Sequence, residues 1–95
     1  ITVVRAIGPS LTAAGIASPL LDPTLTLYDS NGVQLATNDD WRGGQPTAAK
    51  ATLLAPTDDR ESVVVASLPT GNYTAVVRGK NGATGVALVE VYRIP

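Results

Sequence analysis

The groups able to do chemistry in this chain are almost all carboxylates. Asp39-Asp40 and Asp58-Asp59 are adjacent acidic pairs, with Glu61 near the second and Asp29 on its own. Calcium takes about six to eight oxygen ligands, which loop carboxylates and carbonyls can supply. Asp39, Asp40, Asp58 and Asp59 are therefore candidate calcium ligands. The same residues also have a structural use. Asp bonds nearby backbone amides in turns, and Asp58-x-x-Glu61 has the spacing of a capping box. No EF-hand loop occurs in the sequence. A glycosidase needs two acids held across a sugar, and a chain of 95 residues with a single Trp carries no other sign of a sugar cleft.

Nucleophilic chemistry is poorly supplied. With neither His nor Cys in the chain, Ser10 and Ser62 have no imidazole with which to build a Ser-His-Asp site. Disulfides, thiol nucleophiles and ordinary zinc sites fall away for the same reason. Lys50 and Lys80 come with no signature of a Ser-Lys pair. The expectation is a protein that is not an enzyme and requires no cofactor, calcium being the one ion its side chains invite. The formal net charge is −1 with no basic stripe, so nucleic acid is not expected as a partner. No run approaches the ~20 apolar residues of a membrane span.

Trp41 lies in the polar loop Asn38–Pro46, beside Asp40 and Arg42. Two roles fit it. It is an exposed ligand or interface anchor that stacks on sugar or meets a partner, or it is a plug over one end of the core. The chain has no Phe, so Val, Leu, Ile and Ala must carry most of the burial.

The elements that would position these groups are strands. Ile1–Ile7 is rich in β-branched residues and is stopped by Gly8-Pro9. Ser10–Ala17 reads as a helical turn capped by Ser10, with a short strand as the alternative. Thr24–Tyr28 alternates, placing Leu25 and Leu27 inward. Asp29–Gly32 then makes a tight turn with positive φ supplied at Asn31-Gly32, and Val33–Thr37 returns with Val33 and Leu35 inward. Thr47–Leu54 fits either a strand or a short helix. Ala55–Glu61 is a turn. Val63–Ser67, Tyr73–Arg78 and Val86–Ile94 are β-rich runs separated by Pro69-Thr70-Gly71 and Gly79–Gly82, which predicts an antiparallel meander. Strands recurring about every ten residues predict an all-β domain over residues 1–95: an antiparallel, jelly-roll-like β-sandwich of about seven to nine short strands.

The terminal strand bears on partners. Ile1, Thr2, Val3, Val4, Arg5, Ala6 and Ile7 either pair within their own sheet or are donated to an exposed edge of another copy. A chain that enters a strand at Ile1, without Met or leader, is expected to be a processed mature chain or an excised domain. Few Lys and many Thr, Gly and Ala lean towards an extracellular protein.

Asp22–Trp41 (DPTLTLYDSNGVQLATNDDW) and Ala55–Tyr92, ending TGVALVEVY, resemble a β-rich module found at C-termini or in tandem in large secreted bacterial proteins. The opening VRAIGPSL (Val4–Leu11) belongs to the same pattern. The order LYD-x-x-G, NDD, LPTGNYTAVV is more distantly similar to bacterial pre-peptidase C-terminal domains. The resemblance implies an extracellular or cell-surface location after removal of a signal peptide, a jelly-roll-like sandwich, and no catalysis. Some related domains are thought to bind calcium or polysaccharide, which the resemblance would carry to Asp39, Asp40, Asp58 and Asp59. The first expectation for function is a structural domain that self-associates through terminal strands and sheet edges, as a fibre subunit or tandem repeat. The second is an accessory module binding polysaccharide or calcium for a secreted enzyme.

Overall fold

The computed structural model describes residues 1–94. It contains six strands: β1 (Thr2–Ile7), β2 (Pro23–Tyr28), β3 (Gln34–Asn38), β4 (Ser62–Ala66), β5 (Thr74–Gly79) and β6 (Leu88–Arg93). Two short helices, α1 (Trp41–Gly44) and α2 (Pro46–Ala51), follow β3. The strands form two three-stranded antiparallel sheets, ordered β4-β1-β6 and β3-β2-β5. The chain is thus β-rich, with fewer strands than the turn spacing predicted.

β1 is the centre of the first sheet. Val3 lies opposite Val65 on one side and Tyr92 on the other, and Arg5 opposite Val63 and Glu90. Its two faces serve two cores. Val4 and Ala6 pack with Val64 and with Leu25 and Leu27 of β2. Val3 packs with Val63, Trp41 and Ala49 on the helix side. A strand buried on both faces reads as a near-continuous apolar run, which is why Ile1–Ile7 lacks alternation. The terminal strand is therefore not free: both its edges are paired inside its own chain.

The expected meander does not form. β4 and β6 lie in the first sheet and β5 in the second, so none of the three pairs with another. Propensity marks strands, but β-rich runs of similar composition carry no address for a partner. Ser10–Ala17 is resolved in favour of the turn, a 3-10 helix over Pro9–Ala14. Thr47–Leu54 is resolved in favour of helix, with Pro46 in the first turn of α2 and three alanines among its six residues.

β2 is as expected, with Leu25 and Leu27 buried. β3 is reversed. Val33 and Leu35 are 56% and 44% exposed, and Ala36 and Asn38 face Leu27 and Leu25 instead. A bulge between Leu27 and Tyr28 leaves Leu35 without a partner, since Ala36 and Gln34 take consecutive positions on β2. The extra residue puts Ala36 and Asn38 on the inward face that Leu35 was expected to share, while Val33 lies in the turn before β3. The turn itself is tied by Asp29, whose Oδ1 accepts from the amides of Asn31 and Val33 at 2.9 Å each, with positive φ at Gly32.

One end of the molecule is closed by close backbone packing. Leu20 is buried there, and a Cβ at Gly8 would overlap its carbonyl oxygen. Its amide donates to the Val86 carbonyl at 2.8 Å. Among the described residues, no helix is long and apolar enough to cross a membrane.

Candidate functional site

β3 ends at Asn38, opposite Leu25, so Asp39 and Asp40 emerge where Asp22 leads into β2. One carboxylate oxygen from each of Asp22, Asp39 and Asp40 lies within 4.8 Å of the others. Lys80 approaches the same group, its Nζ 2.7 Å from Asp39 Oδ2 and its amide 2.9 Å from the Asp22 carbonyl. Oδ1 of Asp22 and Oδ1 of Asp39 are buried and unpartnered among the described residues. Burial raises the Asp22 carboxyl above the usual carboxylate range, helped by its contact with Asp39 and the charges of Asp39 and Asp40. Asp39 in turn holds Lys80 above its ordinary value. Asp39 and Asp40 also border a hollow of about 390 Å³ with Thr24, Thr37 and Asn38. An all-oxygen donor set of this kind suits a hard cation.

Asp58 and Asp59 are engaged elsewhere. Asp58 accepts from the Arg60 amide at 2.9 Å and from its Nε at 3.1 Å; these bonds hold the Asp58 carboxyl below its ordinary value. Asp59 accepts from Arg42 Nε at 2.6 Å. The capping-box spacing is realised inside a turn, where Glu61 Oε1 accepts from the Asp58 amide at 3.3 Å. The four acids singled out from sequence are thus divided: two join Asp22, and two serve arginines and a turn. Asp22 was missed because its acidity has no neighbour in sequence. Hairpin arithmetic about Asn31 would have found it.

Trp41 is not on display. It is 2% exposed, packed with Val3, Ala49 and Val63, with the Arg42 guanidinium 4.3 Å from its ring centroid. This is the plug, and its ring offers no platform to a sugar. The expected outward bond of its N–H is absent among the described residues.

The sheet edges form a second feature. The outer edge of β4 is covered by side chains and a loop amide. Asn38 Oδ1 accepts from the Val63 amide at 3.0 Å. Gln45 both accepts from the Val65 amide at 3.1 Å and donates to its carbonyl at 3.0 Å. Trp41 donates its amide to the Glu61 carbonyl at 2.9 Å. The opposite edge, β6, has no such cover among the described residues, and Val89 and Val91 are exposed on it. Behind β6 lies an apolar cleft of about 310 Å³, lined by Val4, Leu27, Leu68, Tyr73, Ala75 and Val91. β5 borders the same cleft from the second sheet. Comparison with protein-family models, curated proteins and solved structures returned no match.

Proposed function

We propose that this chain is a non-catalytic structural domain of an extracellular or cell-surface protein, and that it self-associates into a fibre or tandem array through its sheet edges. In this reading its two sheets stack as an open, jelly-roll-like β-sandwich. The observation that carries it is the contrast between edges. Unpaired strands template further pairing, and proteins normally cover them. Here β4 is covered by Asn38, Gln45 and the Trp41 amide, while β6 is bare and apolar beside a cleft. The resemblance to a module of secreted bacterial proteins supports the location. With β1 paired on both sides, the contact moves from the first strand to the last. Sedimentation over a wide concentration range, with electron microscopy of the same material, tests this. Association should grow with concentration, and Tm should rise with it, since mass action favours the assembled fold. A chain that stays monomeric with a constant Tm refutes it.

A second role, calcium binding, rests on the two unpartnered carboxylate oxygens beside Asp40. Asp22, Asp39 and Asp40 would hold the ion, with Lys80 as the competing cation. Because the folded pKa of Asp22 is raised, its ionisation weakens the fold as pH rises through that value, and neutralising it strengthens the fold. Calcium should therefore raise Tm at neutral pH. Asp22→Asn should raise Tm without calcium and remove most of the calcium response. No calcium-dependent shift in the parent chain would sink this role.

A further inference from the structure

The two ends of the molecule differ in chemistry. β1 runs from the cleft end, at Thr2, to the opposite end, where Gly8 meets the Leu20 carbonyl. β2 starts at that opposite end, straight after Leu20-Leu21-Asp22, and brings Leu27 to the cleft. At the Leu20 end, Leu21 is 58% exposed and stands next in sequence to Asp22. Val86, whose carbonyl accepts from the Leu20 amide, is exposed at the same end. The carboxyls of Asp22, Asp39 and Asp40 gather there against one lysine, and Lys80 is taken by Asp39. Asp40 has no ion-pair partner among the described residues.

At the cleft end the sign of the charge is reversed. Val4, Leu27, Ala75 and Val91 wall the hollow of about 310 Å³, and Arg93 lines it with Thr2. Arg93 is two residues beyond Val91 on β6, so both side chains leave the same face of the sheet. Arg93 is exposed and has no ion-pair partner among the described residues. Asp29, the acid nearest this end, is held in its own turn by two amides. One end thus offers an apolar hollow beside an unpaired base. The other offers an exposed leucine beside unpaired acid.

We propose that copies of this chain join end to end, Leu21 of one seating in the cleft of the next against Val91, with Asp40 facing Arg93. The proposal rests on the self-association reading and names its contact, at the cleft that β6 borders. The occupant is a second copy because one chain carries both halves of the match, apolar to apolar and acid to base, on ends it cannot bring together itself. The two patches are different, so the contact is heterologous. Each added copy leaves one acid end and one cleft unfilled, and the array grows as an open filament. Val91, 64% exposed in one copy, becomes covered.

Two variants, each with one end blocked, test the contact in calcium-free buffer. Leu21→Lys spoils the acid end, and Val91→Glu puts a carboxylate in the cleft. Both positions are exposed, so the strand circular dichroism should be retained. Each should weaken self-association at least about 30-fold by sedimentation, as loss of a central anchor does. An equimolar mixture should form a one-to-one dimer and nothing larger, because one intact cleft and one intact acid end remain between the two chains. Leu21→Ser and Val91→Thr, which disturb the fold less, should show the same pattern with a smaller loss. Filaments of Leu21→Lys alone, or a mixture that stays monomeric, overturn the contact and leave self-association standing. A monomeric parent chain overturns both.

Discussion

Glu61 is 0% exposed, and its hydrogen-bond donors are amides and a hydroxyl. It accepts from the amides of Gly8 and Ser10 at 2.9 Å each, from the Ser10 hydroxyl at 2.7 Å and from the Asp58 amide at 3.3 Å. One carboxylate thereby ties the end of β1 and the following 3-10 helix to the turn that starts β4. A buried donor left without its acceptor costs about 1–3 kcal/mol. Glu61→Ala strands several, so a loss of about 3 kcal/mol or more is expected, read as a fall in Tm of roughly 12 °C or more for a domain of this size. Glu61→Gln keeps one acceptor and should cost less. A change in Tm of a degree or two in the alanine variant would show that the network carries little. The capping-box spacing made part of this bond set legible in sequence. Its larger part, the reach to Gly8 and Ser10, spans more than fifty positions and left no local trace.

At the scale of elements, β1 decides the first sheet. It supplies ladders to both β4 and β6 and buries Val3, Val4, Ala6 and Ile7. A buried valine or isoleucine side chain contributes about 1.5–3 kcal/mol, against total stabilities of about 5–15 kcal/mol. Deleting residues 1–7 should therefore unfold the domain and abolish the cooperative thermal transition. A soluble, cooperatively melting remnant, as a separable docking strand would leave, would contradict this. Strand existence was readable from β-branched runs, as at Val3-Val4 and Leu25–Leu27. Facing was not: β3 has the composition of an alternating strand, yet the bulge at Leu35 reverses it. Asn38 looked like loop polarity and is a buried brace, bonding the Val63 amide.

At the scale of the whole molecule, the two sheets share one core along β1, β2 and β4 and stand apart along β5 and β6. That divergence leaves a cleft and exposed valines on one flank, while the other flank carries the helices and the covered β4 edge. The concentration dependence expected of association and of Tm belongs to this asymmetry, because association at the exposed flank buries valines that one chain leaves open. The sequence by itself determined the class of the protein: strands by branched side chains, turns by Gly, Pro and Asn, and an acid–base chemistry without imidazole or thiol. Those are properties of residue types and of neighbours a few positions apart. Tertiary structure alone decided that β1 is central, that β4, β5 and β6 alternate between sheets, that Asp22 meets Asp39 and Asp40, and that the β4 edge is covered while the β6 edge of the same sheet is not. Each depends on pairing between distant segments, where many strands of like composition compete and only packing of the whole chain selects among them.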